Sequence, residues 1–416
     1  MTARLPLLIT AVLILPLAAQ APKDPPKSWI DPDTGHRVVR LTDEPGSASL
    51  YFNQNGYSAD GKKLVYTTAD GISVFDLATT ATKPVVKGKV RIIVTGRKSQ
   101  SVYYTRDGAV FASDLDSGAA REIAKLPPRA SIATVNADET LLAGTYIENN
   151  SPDYNANRPN QPQILDQPRN KGQMMEERLA ARLPMALFTI NTKTGETKVI
   201  HRATDWLNHL EFSPTDPTLL MFCHEGPWHK VDRIWTMRTD GTQITKIHTR
   251  TMVMEIFGHE FWSADGKTIW YDLQTPKGEM FWLAGYNVQT GARTWYHLER
   301  NEWSIHFNVN GDGTLFCGDG GDPGQVAHAK DGQWIYLFHP QLTPNHQGLD
   351  EPGFVKPGVL RATKLVNMAK HQYRLEPNVS FTPDQKWVVF RSNMFGPTYV
   401  FAVEVAAADG ARCNTK

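Results

Sequence analysis

The chain has 416 residues, of which 41% are hydrophobic and 21% charged, the composition of an ordinary soluble globular protein with ample core. Its 44 basic residues balance 43 acidic ones, no Lys/Arg-rich run occurs, and a nucleic-acid-binding surface is therefore not expected.

At the N-terminus Arg4 precedes the apolar run Leu5 to Leu17, which the small residues Ala18, Ala19 and Ala21 follow. Residues 1–20 read as a secretory signal peptide cut near Gln20 or Ala21, so the mature protein is expected to be exported, periplasmic or secreted. The run is too short for a confident membrane span, no cysteine follows it for lipid attachment, and nothing later in the chain is long enough to cross a bilayer.

From there on one short phrase recurs, an aromatic or polar residue, a small residue, an Asp-containing turn and then a hydrophobic strand. It reads Tyr57-Ser-Ala-Asp-Gly, a degenerate Thr95-Gly-Arg-Lys, Val135-Asn-Ala-Asp-Glu, Phe212-Ser-Pro-Thr-Asp, Phe261-Trp-Ser-Ala-Asp-Gly, Phe307-Asn-Val-Asn-Gly-Asp-Gly and Phe381-Thr-Pro-Asp-Gln. Asp-Gly and Pro-Asp supply tight turns, and the flanking runs alternate apolar and polar residues at the period of a sheet. A single hairpin of this kind cannot bury its own hydrophobic face, so the copies must stack. Seven copies, one or two blade lengths of about 40–50 residues apart, predict an all-β fold. We expect a seven-bladed β-propeller with four-stranded blades of the TolB or WD40 kind, forming one domain over residues 21–416.

Two gaps between copies are long. Residues 149–183 form a polar stretch ending in a helical pattern from Lys171 to Leu183, and residues 340–373 are rich in Pro, Gly and His. Insertions in a repeat fold gather on one face and are often functional. Cys223 and Cys317 fall at equivalent places in two repeats, just after the second strand, which is too far apart for a bridge; both read as buried free thiols, while Cys413 lies in a polar tail.

The residues just before each turn should lie on a blade's inner strand, facing the central channel. Several are polar where a plain core would be apolar: Asn53, Asn55, His209, Glu211, His259, Glu260, His306, Glu376 and Asn378. Histidines and carboxylates at matching places in different blades converge on one channel mouth. Between two of them runs His224 to Trp235, the densest polar and aromatic segment, in which Arg233 offers bidentate recognition of a carboxylate. His224-Glu225 lacks the second His of a zincin, and Gly318-Asp-Gly-Gly-Asp322 reads as a glycine-rich turn rather than a calcium loop. No nucleophile elbow, Walker loop or dinucleotide fingerprint occurs. What remains is His, Arg and carboxylate, with a possible metal: a set suited to removing a proton next to a carboxylate, with His as base.

At these residues the chain resembles the oligogalacturonate lyases of polysaccharide lyase family 22, seven-bladed propellers that cleave oligogalacturonides by β-elimination. The likeness runs from Thr34-Gly-His-Arg through Phe222-Cys-His-Glu-Gly-Pro, Val231-Asp-Arg-Ile-Trp, Gly258-His-Glu-Phe-Trp, His306-Phe and Asp312-Gly-Thr-Leu-Phe-Cys-Gly-Asp-Gly to Ser380-Phe-Thr-Pro-Asp. The resemblance implies that His259 is the base drawing off the C5 proton and that Arg233 neutralises the uronate carboxylate. His209, His224, Glu225 and Trp228, from the polar positions around the channel mouth, are expected as substrate contacts, and the resemblance implies a divalent metal, Mn²⁺ or else Ca²⁺, at His306. The family's other ligands are a Gln and two His, and the corresponding positions here carry Tyr373, Glu376 and Asn378, with Gln372 one place away. The expected partner is an oligosaccharide with uronic acid units. The alternative is a non-catalytic TolB-like propeller that binds a protein or glycan at its channel mouth.

Overall fold

The computed structural model describes residues 25–148, 170–323, 330–351 and 353–408. The signal-peptide reading, residues 149–169 of the first insertion and Cys413 lie outside them. The described strands form six hydrogen-bonded sheets, one of which, with eight strands, is two blades joined edge to edge. Blades 1 to 7 begin with the inner strands Ala48–Ser49, Arg91–Thr95, Ser131–Val135, Trp206–Phe212, Ile256–Trp262, Phe307–Val309 and Ser380–Phe381. Each is followed by one of the seven turn phrases, so every copy marks one blade.

Chemistry at the turn explains the recurrent aspartate. The Asp60 carboxylate accepts from Ser58 Oγ (2.7 Å) and the Lys62 N–H (3.1 Å), Asp265 from Ser263 and Lys267, and Asp384 from Thr382 and Lys386. The next residue takes a left-handed backbone, with φ of 69° at Gly61, 68° at Gly266 and 60° at Gln385. The degenerate copy in blade 2 lacks the aspartate and borrows its cap: Glu139, from the turn of blade 3, accepts the Ser99 N–H at 2.8 Å and the Tyr103 hydroxyl at 2.8 Å.

Seven hydrophobic clusters fill the seven gaps between neighbouring blades. One cluster joins Leu50 and Val65 of blade 1 to Val102 and Tyr104 of blade 2, and the last joins Val389 and Val400 of blade 7 to Leu64 and Tyr66 of blade 1. The ring closes through strands from opposite ends of the chain. His36–Arg40 pairs antiparallel with Tyr399–Ala407, Val38 facing Val403 and Arg40 facing Phe401, and Ser28–Ile30 adds a fifth strand.

The two insertions differ in kind. The first, between the second and third strands of blade 3, carries helix α1 (Lys171–Ala181), where the Asn170 side chain accepts the Gln173 N–H at 3.0 Å and Arg182 ends the helix in a left-handed conformation. The second is a hairpin more than a loop. Trp334–Leu342 pairs with the 13-residue strand Val355–Asn367, whose first residues also pair in parallel with Arg293–Leu298 and weld blade 6 to blade 5. Its prolines stand where sequence suggested a turn-rich excursion, but Pro340 and Pro357 are accommodated in the outer arm of a long ribbon. Cys223 and Cys317 are free and fully buried, inside the second strands of blades 4 and 6 and not just after them. No described helix is long and apolar enough to cross a membrane.

Phe401 tests the closure, because it is fully buried against Trp29, Phe390 and Phe395 in the closing blade. Phe401→Ala should cost about 3–5 kcal/mol by urea denaturation, the range for an aromatic removed from a packed core; a cost near zero would mean that the terminal strands do not hold the ring.

Candidate active site

In blades 4 and 5 the inner strand breaks register, between Asn208 and Glu211 and between Gly258 and Phe261. His209 and His259 sit in these bulges with φ of 45° and 48°, and Asn378 before the last inner strand has φ of 53°. A left-handed backbone at a non-glycine residue costs about 1–2 kcal/mol and persists only where the surroundings enforce it. A bulge re-aims the side chain it carries, and here it turns both imidazoles toward the channel mouth.

Arg233 occupies the floor of the pit. It is 2% exposed, its Nη1 donates to Glu225 Oε1 at 2.6 Å, its Nη2 lies 3.5 Å from Glu260 Oε2, and its guanidinium stacks on Trp228 at 4.8 Å. Gly258 makes this approach possible: a Cβ there would stand 3.1 Å from the Trp228 ring and 3.3 Å from Arg233 Nε. Burial works against the guanidinium charge, yet the anionic groups around it, Glu260 and Glu225 among them, hold its pKa well above the ordinary value. Glu225 also accepts from His209 Nε2 at 2.9 Å; burial would raise its carboxyl, but Arg233 and His209 keep it well below the usual carboxylate range.

His259 stands edge-on to Trp228 and to His306, each with ring centroids 5.1 Å away. Its Nδ1 faces the buried Asp272 carboxylate at 3.3 Å without the alignment of a hydrogen bond, and has no hydrogen-bond partner among the described residues. His306 is fully buried. Its Nδ1 bonds Asp319 Oδ2 at 2.7 Å, and since a carboxylate only accepts, Nδ1 is the donor; in the neutral ring the lone pair then lies on Nε2. That nitrogen lies 3.1 Å from the Tyr51 hydroxyl and 3.9 Å from Glu376 Oε2. Burial first, then the Glu376 carboxylate, push the Tyr51 hydroxyl far above its usual pKa, so it remains a proton donor.

His209, Glu225, Trp228, Arg233, His259, His306 and Glu376 are thus brought together, and three expected residues are not. His224 is next to Glu225 on a strand, so its side chain takes the opposite face, where Nδ1 meets Asp205 at 2.8 Å and the ring packs on Trp235. Gln372 is exposed in a turn held to Asn393. Asn378 is buried beside the pit but its amide is spent on backbone, accepting the Phe52 N–H at 3.2 Å and donating to the Glu376 carbonyl at 3.0 Å. Of the proposed metal ligands, His306 and Glu376 alone face each other, and no group of three His, Cys, Asp or Glu side chains converges as a metal set among the described residues.

Sequence reasoning missed Tyr51, Asp272, Asp319 and Arg391. Asp319 lies in the glycine-rich segment read as a mere turn; besides bonding His306 Nδ1, it accepts the His306 and Ile305 backbone N–H groups at 2.9 and 3.1 Å. The glycines remain a turn, and the aspartate between them orients the imidazole. Arg391 donates to the Glu376 carbonyl at 2.8 Å, adding a cation beside that carboxylate. The segment 226–232 is no loose charged loop, because Arg250 bonds the Trp228 and Val231 carbonyls and pairs with Asp232 at 2.7 Å. Below the pit a cavity of about 250 Å³ continues down the channel between Asn53, Arg97, His209 and Glu211.

A seven-bladed ring of four-stranded sheets defines the class of β-propellers, and this one gathers histidines, a buried Arg–Glu pair and a stacked Trp at one mouth of its channel. Comparison with known proteins narrows the class. Residues 26–408 match the family model for oligogalacturonate lyase, and the chain belongs to that family. It is 26% identical over 403 residues to the oligogalacturonide lyase of Pectobacterium atrosepticum, covering 91% of this chain and 95% of that one. The oligogalacturonate lyase of Dickeya dadantii is 26% identical over 398 residues, with the same coverage of each chain. Among solved structures, an oligogalacturonate lyase in complex with manganese aligns with a TM-score of 0.73 at 22% identity over 91% of this chain and 96% of its own. The enzyme from Vibrio parahaemolyticus aligns at 0.71 and 23%, again over 91% and 96%.

Two carboxyls give opposite pH signatures. Glu225 is depressed, so its contribution to stability is present above the unfolded value near 4.5 and is lost as pH falls below it; Glu225→Gln should flatten that acid limb in urea titrations followed across pH. Glu211 is raised by burial and by Glu260, against Arg97 and Asn53, so its charge costs stability as pH climbs from 4.5 toward neutrality. Glu211→Gln should therefore be more stable than the native chain at pH 7, and an equal or lower stability would contradict a neutral carboxyl in the channel.

Proposed function

We propose that the protein is an exported lyase that cleaves oligogalacturonides by β-elimination at the mouth of its channel. The observation that carries this reading is that His259 and Arg233, 26 residues apart in the chain, stand on the same Trp228 ring, at 5.1 and 4.8 Å. His259 Nε2 takes the C5 proton of the uronate, the C–H electrons form the C4–C5 double bond, and the C4–O bond breaks with its pair on the departing sugar. Asp272 behind Nδ1 favours the imidazolium that this step creates. Arg233 is too buried to be a loose clamp. It acts as a fixed positive charge beneath the carboxylate, with Glu225 and His209 locked around it.

The donor set fits a divalent cation in part. His306, backed by Asp319 and offering Nε2, has the carboxylate–imidazole arrangement of metal-binding histidines, and Glu376 faces it, so these two residues would hold the ion, with water in the places of the amides that turn away. Bound there, a manganese ion would supply Lewis-acid neutralisation of the uronate carboxylate. The manganese complex of a structural relative and the His306–Asp319 pair support this assignment.

Incubation with oligogalacturonides should release 4,5-unsaturated uronate, read by its ultraviolet absorbance, and His259→Ala should lower kcat by about 100- to 10,000-fold, the range for loss of a general base. Metal analysis should find the ion in the native protein and not in His306→Ala. Absence of the unsaturated product from every uronate oligomer would remove the lyase reading.

A further inference from the structure

The inserted helix α1 has no part in the chemistry above, yet it builds the wall of a second cavity. Lys230 pairs with Glu176 at 2.8 Å and Arg178 stacks on Trp206 at 4.1 Å, which fastens the helix over blade 4. The open cleft it borders has a volume of about 770 Å³, within the range of about 300–1,000 Å³ typical of small-ligand pockets. It opens beside the active site, because Trp228 is a wall common to both, touching His259 and Arg233 as well as lining this cavity.

The lining has two characters. Met175, Ile256 and the Trp228 ring make an apolar side of the kind on which the C–H face of a sugar rests. Lys171 and Lys277 supply two ammonium groups, neither of which has an ion-pair partner among the described residues. Gln274 is 1% exposed; its Oε1 accepts the Gly278 N–H at 2.7 Å, in the cavity wall, while its Nε2 has no partner. A buried donor left unpaired costs about 1–3 kcal/mol, and a ligand oxygen would relieve that cost. Lys171 also helps to hold the Glu225 carboxyl down, after Arg233 and His209, so its charge reaches the catalytic pit.

We propose that this cavity is a subsite for a third uronate unit of the substrate, beyond the two joined by the bond cleaved beside His259, with Lys171 and Lys277 meeting its carboxylate and Trp228 its ring. The assignment rests on the lyase reading. It makes the inserted helix a determinant of chain length: an oligomer that reaches the cavity gains contacts that a disaccharide held at the catalytic pit does not.

The test compares kcat/KM for digalacturonate and trigalacturonate in the native enzyme and in the double variant Lys171→Ala, Lys277→Ala, with thermal melting to confirm that both exposed substitutions leave the fold intact. The native enzyme should favour the trimer, and the ratio of trimer to dimer should fall about three- to tenfold in the variant, the scale of one or two partly exposed charge pairs. The charge reversal Lys171→Glu should lower the ratio further. An unchanged ratio, or equal loss on both substrates, would overturn the subsite while leaving the lyase in place. No unsaturated product from either substrate in the native protein would remove the lyase reading and the subsite together.

Discussion

Closure of the ring is the constraint on which the rest depends. Antiparallel pairing of His36–Arg40 with Tyr399–Ala407 ties the two ends of the described chain into one blade, and seven interblade clusters then hold the sheets at fixed angles about a common axis. A propeller blade is unstable alone, because one face of its sheet is apolar and finds its partner only in the next blade. The last blade has a partner only if the ring shuts. Every residue of the site is placed by that geometry: Tyr51 comes from blade 1, His209 and Arg233 from blade 4, His259 from blade 5, His306 from blade 6 and Glu376 from the approach to blade 7. A bond 255 residues apart in sequence, Tyr51 to His306, follows from the circle.

Within the pit the governing problem is electrostatic. Arg233, Glu225, Glu260 and Asp272 are all at most 5% exposed, and a charge removed from water to that extent survives only beside its opposite. The arrangement leaves a rigid, preorganised field with unpaired atoms at its centre, Arg233 Nε, Glu260 Oε1, Asp272 Oδ1 and His259 Nδ1. Such atoms are expensive in a structural core and useful at a reacting centre, where a substrate or ordered water completes them. The bulges at His209 and His259 belong to the same economy, since a strained backbone places an imidazole where a regular strand would not.

Much of this architecture was legible in the sequence. The repeated turn phrase marked all seven blades, because in six of them its aspartate performs a local task, capping the turn, that does not depend on distant residues. The helix at 171–181 was legible from its own pattern, and His259, His306, His209 and Glu225 from their place just ahead of the turns or in the polar segment between them. The errors were of one sort. His224 was grouped with Glu225 by adjacency, although strand alternation sends neighbours to opposite faces; Gln372 and Asn378 were aligned by position, although one lies in an exposed turn and the other has its amide taken by backbone. The second insertion looked like a loop because Pro and Gly are abundant in it, and it became a ribbon because blade 5 offers its first residues an edge to pair with.

The sequence alone determined what short-range chemistry determines: how many hairpins there are, where each turns, and which side chains able to ionise stand at the inner end of each. Which of those side chains meet was decided by the tertiary structure, since meeting requires the circle to close and the strands to bulge. Asp319 behind His306, Asp272 behind His259 and Tyr51 across the channel carry no signal in a linear reading, because their roles are set by distances across space between groups far apart along the chain.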